Sequence, residues 1–174
     1  MEKGYIQIYT GNGKGKTTAA LGLIMRALGS GMNIFLCQFM KNNDTGELNI
    51  LKQFEKQIDV IQCGLGKFCT NRDNPGQDHI DAAQAGFQEA KEAIDSGRYD
   101  LIVLDEINVA VYYNLISVED LISLLKNKPE KTELILTGRY AEQKIYEYAD
   151  LITEMKEIKH YYKIGVQQRK GIEY

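Results

Sequence analysis

The chain has 174 residues, of which 44% are hydrophobic, so it can bury the core of one domain. Its formal net charge of −3 argues against nucleic acid as the main partner, because phosphate backbones favour basic protein surfaces. No apolar run approaches the roughly 20 residues that span a membrane, and a strand pattern begins too early for a signal peptide to precede it. Three cysteines without Cys-x-x-Cys spacing favour reduced thiols, so we expect a cytoplasmic protein.

The first predicted strand, residues 5–9, runs into a glycine-rich turn that is followed by a helical pattern. The turn reads Thr10-Gly11-Asn12-Gly13-Lys14-Gly15-Lys16-Thr17-Thr18. Glycines let consecutive backbone N–H groups converge on phosphate oxygens, and the start of the helix adds its own unpaired N–H groups. In such a phosphate loop Lys16 contacts the terminal phosphates and the Thr17 hydroxyl binds Mg²⁺. The sequence therefore predicts a nucleoside triphosphate site, although the common motif has glycine at position 10 and a glycine-rich turn can also precede a helix without binding a ligand.

Strand-like and helix-like patterns alternate along the rest of the chain. Further strands are predicted at 33–39, 58–62, 100–105, 133–137 and 150–155. The clearest helix covers about 77–96, where apolar residues from Ile80 to Ile94 form one stripe, and Ser117 resembles the N-cap of another helix. This alternation predicts an α/β fold with a mostly parallel β-sheet. Together with the phosphate loop it predicts a single domain over residues 1–174, with a P-loop NTPase-like (RecA-like) three-layer fold.

Two adjacent carboxylates follow the predicted strand at 100–105. In phosphate-loop proteins an acid at this point holds Mg²⁺ directly or through water, so Asp105 and Glu106 are candidate metal residues together with Thr17. The residues alone leave two functions open for Glu106, which either activates water for ATP hydrolysis or binds metal without hydrolysis. A third interpretation is that one of these acids only caps the next helix.

Ligands of parallel sheets bind at the carboxyl ends of the strands, and this rule selects further candidates. Arg139 follows the predicted strand at 133–137 and is a candidate for a phosphate or ribose contact. Lys41 is a weaker candidate of the same kind. Arg26, on the helix after the phosphate loop, contacts the nucleotide or is a surface charge. Tyr161 and Tyr162 are better explained by packing than by a ligand.

The chain resembles the ATP:cob(I)alamin/corrinoid adenosyltransferases of the phosphate-loop type over nearly its whole length. Besides the phosphate loop, the matching segments are Gln38-Phe39-Met40-Lys41, Gly46-Glu47, Leu104-Asp105-Glu106, Thr137-Gly138-Arg139, Ala149-Asp150-Leu151, Lys159-His160 and Gly171-Ile172-Glu173-Tyr174. The threonine at position 10 is the form that this family has. General ATPases have no reason to share the C-terminal matches, so these segments make the resemblance specific.

The resemblance implies a reaction in which the Co(I) of a corrinoid, either cobalamin or cob(I)yrinic acid a,c-diamide, attacks the 5′-carbon of ATP and releases inorganic triphosphate. ATP and the corrinoid are then substrates, and Mg²⁺ is a cofactor. Matching positions imply nucleotide-binding roles for Thr10, Gly11, Asn12, Gly13, Lys14, Gly15, Lys16, Thr17, Thr18, Arg26 and Arg139. They imply catalytic roles for Lys16, Asp105 and Glu106, and metal-binding roles for Thr17, Asp105 and Glu106.

The corrinoid side of the resemblance is less complete. The family has aromatic residues against the corrin after the third strand, where this chain reads Gly64-Leu65-Gly66-Lys67-Phe68-Cys69 without tryptophan. Phe68 is therefore the candidate corrin-binding residue. The family also implies a homodimer and a reductant flavoprotein. Nucleic acid and membrane are not expected as partners, because of the negative net charge and the lack of a long apolar run. The alternative functions are a small P-loop ATPase or kinase and a nucleotide-gated corrinoid carrier.

Overall fold

The computed structural model of the chain describes residues 2–67 and 69–174, so the prediction for Phe68 lies outside the described residues. Six strands form one sheet: β1 (Ile6–Thr10), β2 (Ile34–Phe39), β3 (Ile58–Cys63), β4 (Leu101–Asp105), β5 (Glu133–Thr137) and β6 (Leu151–Glu154). Their order across the sheet is β3-β2-β4-β5-β1-β6, and the strand pairings are parallel. The predicted strands and the predicted parallel sheet are confirmed.

The α-helices are α1 (Lys16–Gly29), α2 (Gly46–Leu51), α3 (Gln77–Ser96), α4 (Ile107–Tyr112) and α5 (Val118–Lys126). Short 3₁₀ helices lie at Lys52–Phe54, Gln143–Tyr148 and Tyr161–Ile164. Helix α3 has the predicted bounds and is followed by Gly97, whose φ of 61° ends it. The predicted cap of α5 is also present, because Ser117 Oγ accepts a hydrogen bond of 3.0 Å from the backbone N–H of Asp120.

Side chains on the two faces of the sheet belong to two separate hydrophobic clusters. Because successive side chains of a strand point to opposite faces, Phe35 and Cys37 of β2 join one cluster and Ile34 and Leu36 join the other. The first cluster packs on α3, α4 and α5, and the second packs on α1 and the end of α2. The fold therefore has three layers, with the sheet between two layers of helices. Every helix in the described ranges is too short or too polar to traverse a lipid bilayer.

Three neighbouring strand ends carry a non-glycine residue in the left-handed region of backbone conformation. Met40 follows β2 with φ 62°, Glu106 follows β4 with φ 61°, and Tyr140 lies three residues after the end of β5 with φ 60°. A non-glycine residue in this region costs about 1–2 kcal/mol, so surrounding contacts must hold it. These turns redirect the chain at one edge of the sheet, where the phosphate loop also lies.

Candidate functional site

The phosphate loop between β1 and α1 needs glycine for two different reasons. Gly11 and Gly15 have φ values of 94° and 119°, which side chains other than glycine rarely adopt. Gly11 and Gly13 also lie against the residue that follows β6, because a Cβ on either would come within 2.5 or 2.7 Å of the carbonyl oxygen of Met155. The Gly13 N–H donates a 2.7 Å hydrogen bond to that same oxygen. The end of β6 therefore fixes the shape of the loop.

Lys16 lies inside the curve of this loop. Its side chain is buried, and its ammonium donates hydrogen bonds of 2.7 Å to the carbonyl oxygen of Gly11 and 2.8 Å to that of Gly13. Burial lowers the pKa of Lys16, the carboxylate of Glu106 opposes this shift, and the positive charge of Arg139 adds to it. The ammonium thus lies inside the loop, in the space where the backbone N–H groups of a phosphate loop would bind a phosphate group.

Asp105 connects the phosphate loop to two other strand ends. The side chain is buried, and its Oδ1 accepts hydrogen bonds of 2.8 Å from Thr17 Oγ1 and 2.7 Å from Thr137 Oγ1. Its Oδ2 accepts a 2.8 Å hydrogen bond from Lys41 Nζ and one of 3.3 Å from Gln38 Nε2. Burial lowers the pKa of Lys41, but the charge and hydrogen bond of Asp105 outweigh burial and raise it overall. Asp105 is therefore a paired carboxylate rather than an isolated buried charge.

Glu106 has a different environment from Asp105. Its backbone N–H donates a 3.0 Å hydrogen bond to Thr137 Oγ1, and its carbonyl oxygen accepts the first backbone hydrogen bonds of α4. Its side chain makes no capping hydrogen bond to α4, so the interpretation of this acid as a simple helix cap is wrong. Burial raises the pKa of Glu106, and the neighbouring charge of Asp105 raises it further. A cation beside these two carboxylates would oppose that shift.

The oxygen atoms around Asp105 fit Mg²⁺. This ion prefers hydroxyl and carboxylate oxygens and keeps several ligands for water and substrate phosphates. Thr17 Oγ1 and Asp105 Oδ1 lie 2.8 Å apart at the start of α1. Across residues 2–67 and 69–174, three or more metal-ligating side chains of the His, Cys, Asp and Glu types do not cluster.

The remaining predicted residues divide between those near the loop and those away from it. Arg139 is exposed and lines a cavity of about 530 Å³ together with Asn12. Thr10 is buried, and its Oγ1 accepts a 3.3 Å hydrogen bond from the Ala141 N–H. Thr18 is exposed in the first turn of α1.

Arg26 is not brought to the phosphate loop. It is exposed in the last turn of α1, ten residues beyond Lys16. At 1.5 Å per residue this separation is about 15 Å along the helix axis. The nucleotide contact of Arg26 stays a prediction that a single copy of the chain does not support.

Sequence reasoning missed the contacts that the C-terminal residues make with the loop. Residues 155–174, which we call the C-terminal strap, carry Tyr161 and Glu173, and both hydrogen-bond to Lys14 of the loop. Tyr161 thus makes polar contacts rather than joining a hydrophobic cluster, and Tyr162 is 68% exposed, so packing explains neither tyrosine as the sequence suggested. The sequence sign of this contact was the match of Gly171-Ile172-Glu173-Tyr174 to the family, and that match did not indicate which residue Glu173 contacts.

A parallel sheet with a glycine-rich loop after β1, and with an acid from β4 bonded to the threonine of that loop, defines a phosphate-loop nucleotide-binding protein. The fold is similar to the crystal structure of the flagellar accessory protein FlaH from Methanocaldococcus jannaschii, with a TM-score of 0.61 and 13% sequence identity over 88% of this chain and 72% of that one. This likeness bears on the fold alone.

Comparison of the amino-acid sequence with known proteins identifies the family of this chain. The family model described as ATP:corrinoid adenosyltransferase BtuR/CobO/CobP matches residues 2–174, and the chain belongs to this family. It is 38% identical to a corrinoid adenosyltransferase of Sinorhizobium sp, over 99% of this chain and 81% of that protein. It is 36% identical to the corrinoid adenosyltransferase CobA of Salmonella typhimurium, over 99% of this chain and 87% of that protein. The resemblance inferred from the motifs is thereby confirmed.

Proposed function

We propose that the chain transfers the 5′-deoxyadenosyl group of ATP to the Co(I) of a corrinoid, cobalamin or cob(I)yrinic acid a,c-diamide, and releases inorganic triphosphate. The observation that carries this proposal is the contact of Thr17 with Asp105 at 2.8 Å, beside a loop that encloses the Lys16 ammonium. Such an arrangement is suited to holding a polyphosphate and its metal ion. Membership of the family supplies the acceptor, which the loop by itself does not specify.

The chemistry requires a good leaving group rather than a protein nucleophile. The electron pair of Co(I) attacks the 5′-carbon, the bond between this carbon and the phosphate oxygen breaks, and triphosphate leaves with the bonding pair. Negative charge therefore grows on the triphosphate in the transition state. Backbone N–H groups of the loop and the ammonium of Lys16 are the donors that stabilise this charge once the triphosphate is bound, and Lys16 then exchanges the carbonyl oxygens of Gly11 and Gly13 for phosphate oxygens.

Thr17 with Asp105 and Glu106 would hold Mg²⁺, which supplies charge neutralisation on the triphosphate when it is bound. In this proposal the carboxylate of Glu106 binds the metal ion or the nucleotide, and it does not act as the base of a hydrolytic reaction. Burial and the charge of Asp105 raise the pKa of Glu106, and the positive charges of Lys41, Lys16 and Arg139 oppose this shift. The glycines of the loop and the side chains around Asp105 hold the geometry, and the corrinoid provides the nucleophile.

The proposal includes partners that follow from the family resemblance. A reductant flavoprotein would supply Co(I), and the chain would form a homodimer. The three cysteines are free thiols in the described structure, which suits a cytoplasmic location. Phe68 stays the candidate residue against the corrin.

The test combines the protein with ATP, Mg²⁺ and chemically reduced corrinoid under anaerobic conditions. A light-sensitive cobalt–carbon chromophore should form, with one triphosphate released for each adenosyl group transferred. Lys16→Ala should lose most of this activity with an unchanged circular dichroism spectrum, because the variant lacks the ammonium that contacts the phosphates. Release of ADP and orthophosphate in place of triphosphate would favour the ATPase or kinase alternative. Tight corrinoid binding with ATP left intact would favour the carrier.

A further inference from the structure

The C-terminal strap crosses the edge of the sheet at which the phosphate loop lies. It begins at Met155, whose backbone pairs with Thr10 and Gly13 beside β1. It ends at Tyr174, whose backbone carbonyl would be 3.9 Å from a Cβ on Gly46, the first residue of α2. The strap therefore starts beside the outermost strand β6, passes over the loop and finishes on the other side of it.

Lys14 is the point at which the strap holds the loop. Its ammonium contacts Glu173 Oε1 at 2.8 Å, Tyr161 Oη at 2.9 Å and the carbonyl oxygen of Ile172 at 3.3 Å. An ammonium has three hydrogens to donate, so these three contacts use all of them. Every partner belongs to the strap. In this state none of the donors of Lys14 is left for a phosphate oxygen.

Glu173 is the anion in this contact. Besides Lys14 it accepts hydrogen bonds from Tyr161 and from Arg169, whose backbone N–H lies 2.7 Å and Nη2 3.2 Å from its carboxylate oxygens. Arg169 first, and then Lys14 and Tyr161, hold the pKa of Glu173 well below its usual range. The carboxylate therefore carries its charge at neutral pH. It binds the ammonium of Lys14 much as a phosphate oxygen would.

The strap is attached weakly to the rest of the protein. All of residues 156–174 are described, and their side chains are exposed or only partly buried. Neither hydrophobic cluster contains a residue of the strap, and Ile158 and Ile164 are 93% and 76% exposed. Ionic contacts between partly exposed side chains are individually weak and are screened by salt. Local opening of such a segment therefore costs little compared with unfolding of the core.

We propose that the C-terminal strap is a latch on the phosphate loop, which a polyphosphate opens by taking Lys14 from Glu173. The inference rests on the proposed function, because it requires a triphosphate at this loop. A triphosphate carries several negative charges and also meets the N–H groups of the loop, so it competes well with a single carboxylate. Return of Glu173 to Lys14 after the reaction would compete with the triphosphate product and promote its release.

The test is the affinity of Glu173→Gln for inorganic tripolyphosphate and for ATP with Mg²⁺, measured by titration calorimetry. This substitution keeps the size of the side chain and removes its charge, so both ligands should bind about two- to fivefold more tightly than to the wild type. Tyr161→Phe removes another hydrogen bond of the latch and should act in the same direction. Glu147→Gln is the matched control, because Glu147 is exposed and the same change of net charge there leaves the latch intact. Its affinities should equal those of the wild type.

A second measurement follows the strap itself. Tripolyphosphate should accelerate trypsin cleavage after Arg169 and Lys170 in the wild type, because opening of the latch exposes this segment. Unchanged or weaker binding by Glu173→Gln, or slower cleavage of the strap with ligand, would overturn the latch and leave the proposed function standing. Absence of any binding of tripolyphosphate or ATP to the folded wild type would overturn the proposed function and the latch together.

Discussion

Single residues at this site act through a few well-defined polar contacts. Asp105 accepts hydrogen bonds from Thr17, Thr137, Lys41 and Gln38, so one carboxylate joins the phosphate loop to the ends of β5 and β2. Because Asp105 is buried, the loss of any of these donors leaves an acceptor that water cannot easily reach. The side chains that surround the phosphate loop are thus mutually dependent, so a substitution at one of them disturbs the others. Residues outside this hydrogen-bond network are therefore better suited to testing individual contacts with the nucleotide.

Arg139 and Arg26 provide such a separation, because they have the same side chain at different distances from the loop. Arg139→Ala should weaken ATP binding about tenfold, since Arg139 lines the cavity beside Asn12 and its charge affects Lys16. Arg26→Ala should change the affinity by less than about twofold, since Arg26 lies in the last turn of α1. Calorimetric titration with ATP and Mg²⁺ measures both. A large loss of ATP affinity in a monomeric preparation of Arg26→Ala would contradict this assignment. A loss seen only in an oligomeric preparation would indicate that Arg26 contacts the nucleotide site of a neighbouring copy.

At the scale of elements, the close approach of α3 to β3 supports the edge of the sheet that leads into residues 64–76. A Cβ on Gly86 of α3 would lie 2.1 Å from Cys63 Sγ and 2.5 Å from Cys63 Cβ, at the last residue of β3. Cys37 Sγ of β2 is 3.8 Å from Cys63 Sγ and also 3.8 Å from the carbonyl oxygen of Gly86. Glycine at position 86 therefore serves packing rather than helix formation, for which it is unfavourable.

Gly86→Ala should lower the free energy of unfolding by about 1–3 kcal/mol, because the new methyl group overlaps Cys63 in a packed interior. Gly22→Ala is the matched control on α1, where a Cβ would meet no atom within 4 Å. That change should raise the free energy of unfolding by up to about 1 kcal/mol through helix propensity. Urea denaturation of the two variants measures both effects. Equal stability of Gly86→Ala and the wild type would show that α3 can move away from β3 at little cost.

For the whole molecule, the sequence predicts the sheet far better than it predicts the strap. Strands such as β2 and β4 have continuous apolar runs because they are buried on both faces, and their ends place Asp105 at the site. Helices α2 and α4 have six residues each, too few for a helical periodicity to be recognised. The pairing of Lys14 with Glu173 joins an exposed residue to a partly buried one 159 positions away, and neither periodicity nor a local motif indicates such a contact.

The same contrast predicts how stability is distributed through the molecule. Strands β2 and β4 are buried along their whole length and pair on both sides, so their amides should exchange with solvent only when the protein unfolds globally. Strand β6 is exposed along its whole length and should exchange sooner. Residues 156–174 should exchange at least about a hundredfold faster than β2, because they contribute no side chain to either hydrophobic cluster. Hydrogen–deuterium exchange of the ligand-free protein, followed by mass spectrometry of peptides from the three regions, measures this order. Protection of the strap equal to that of β2 would mean that the strap unfolds together with the core, and its attachment through Lys14 would then be far stronger than exposed ionic contacts allow.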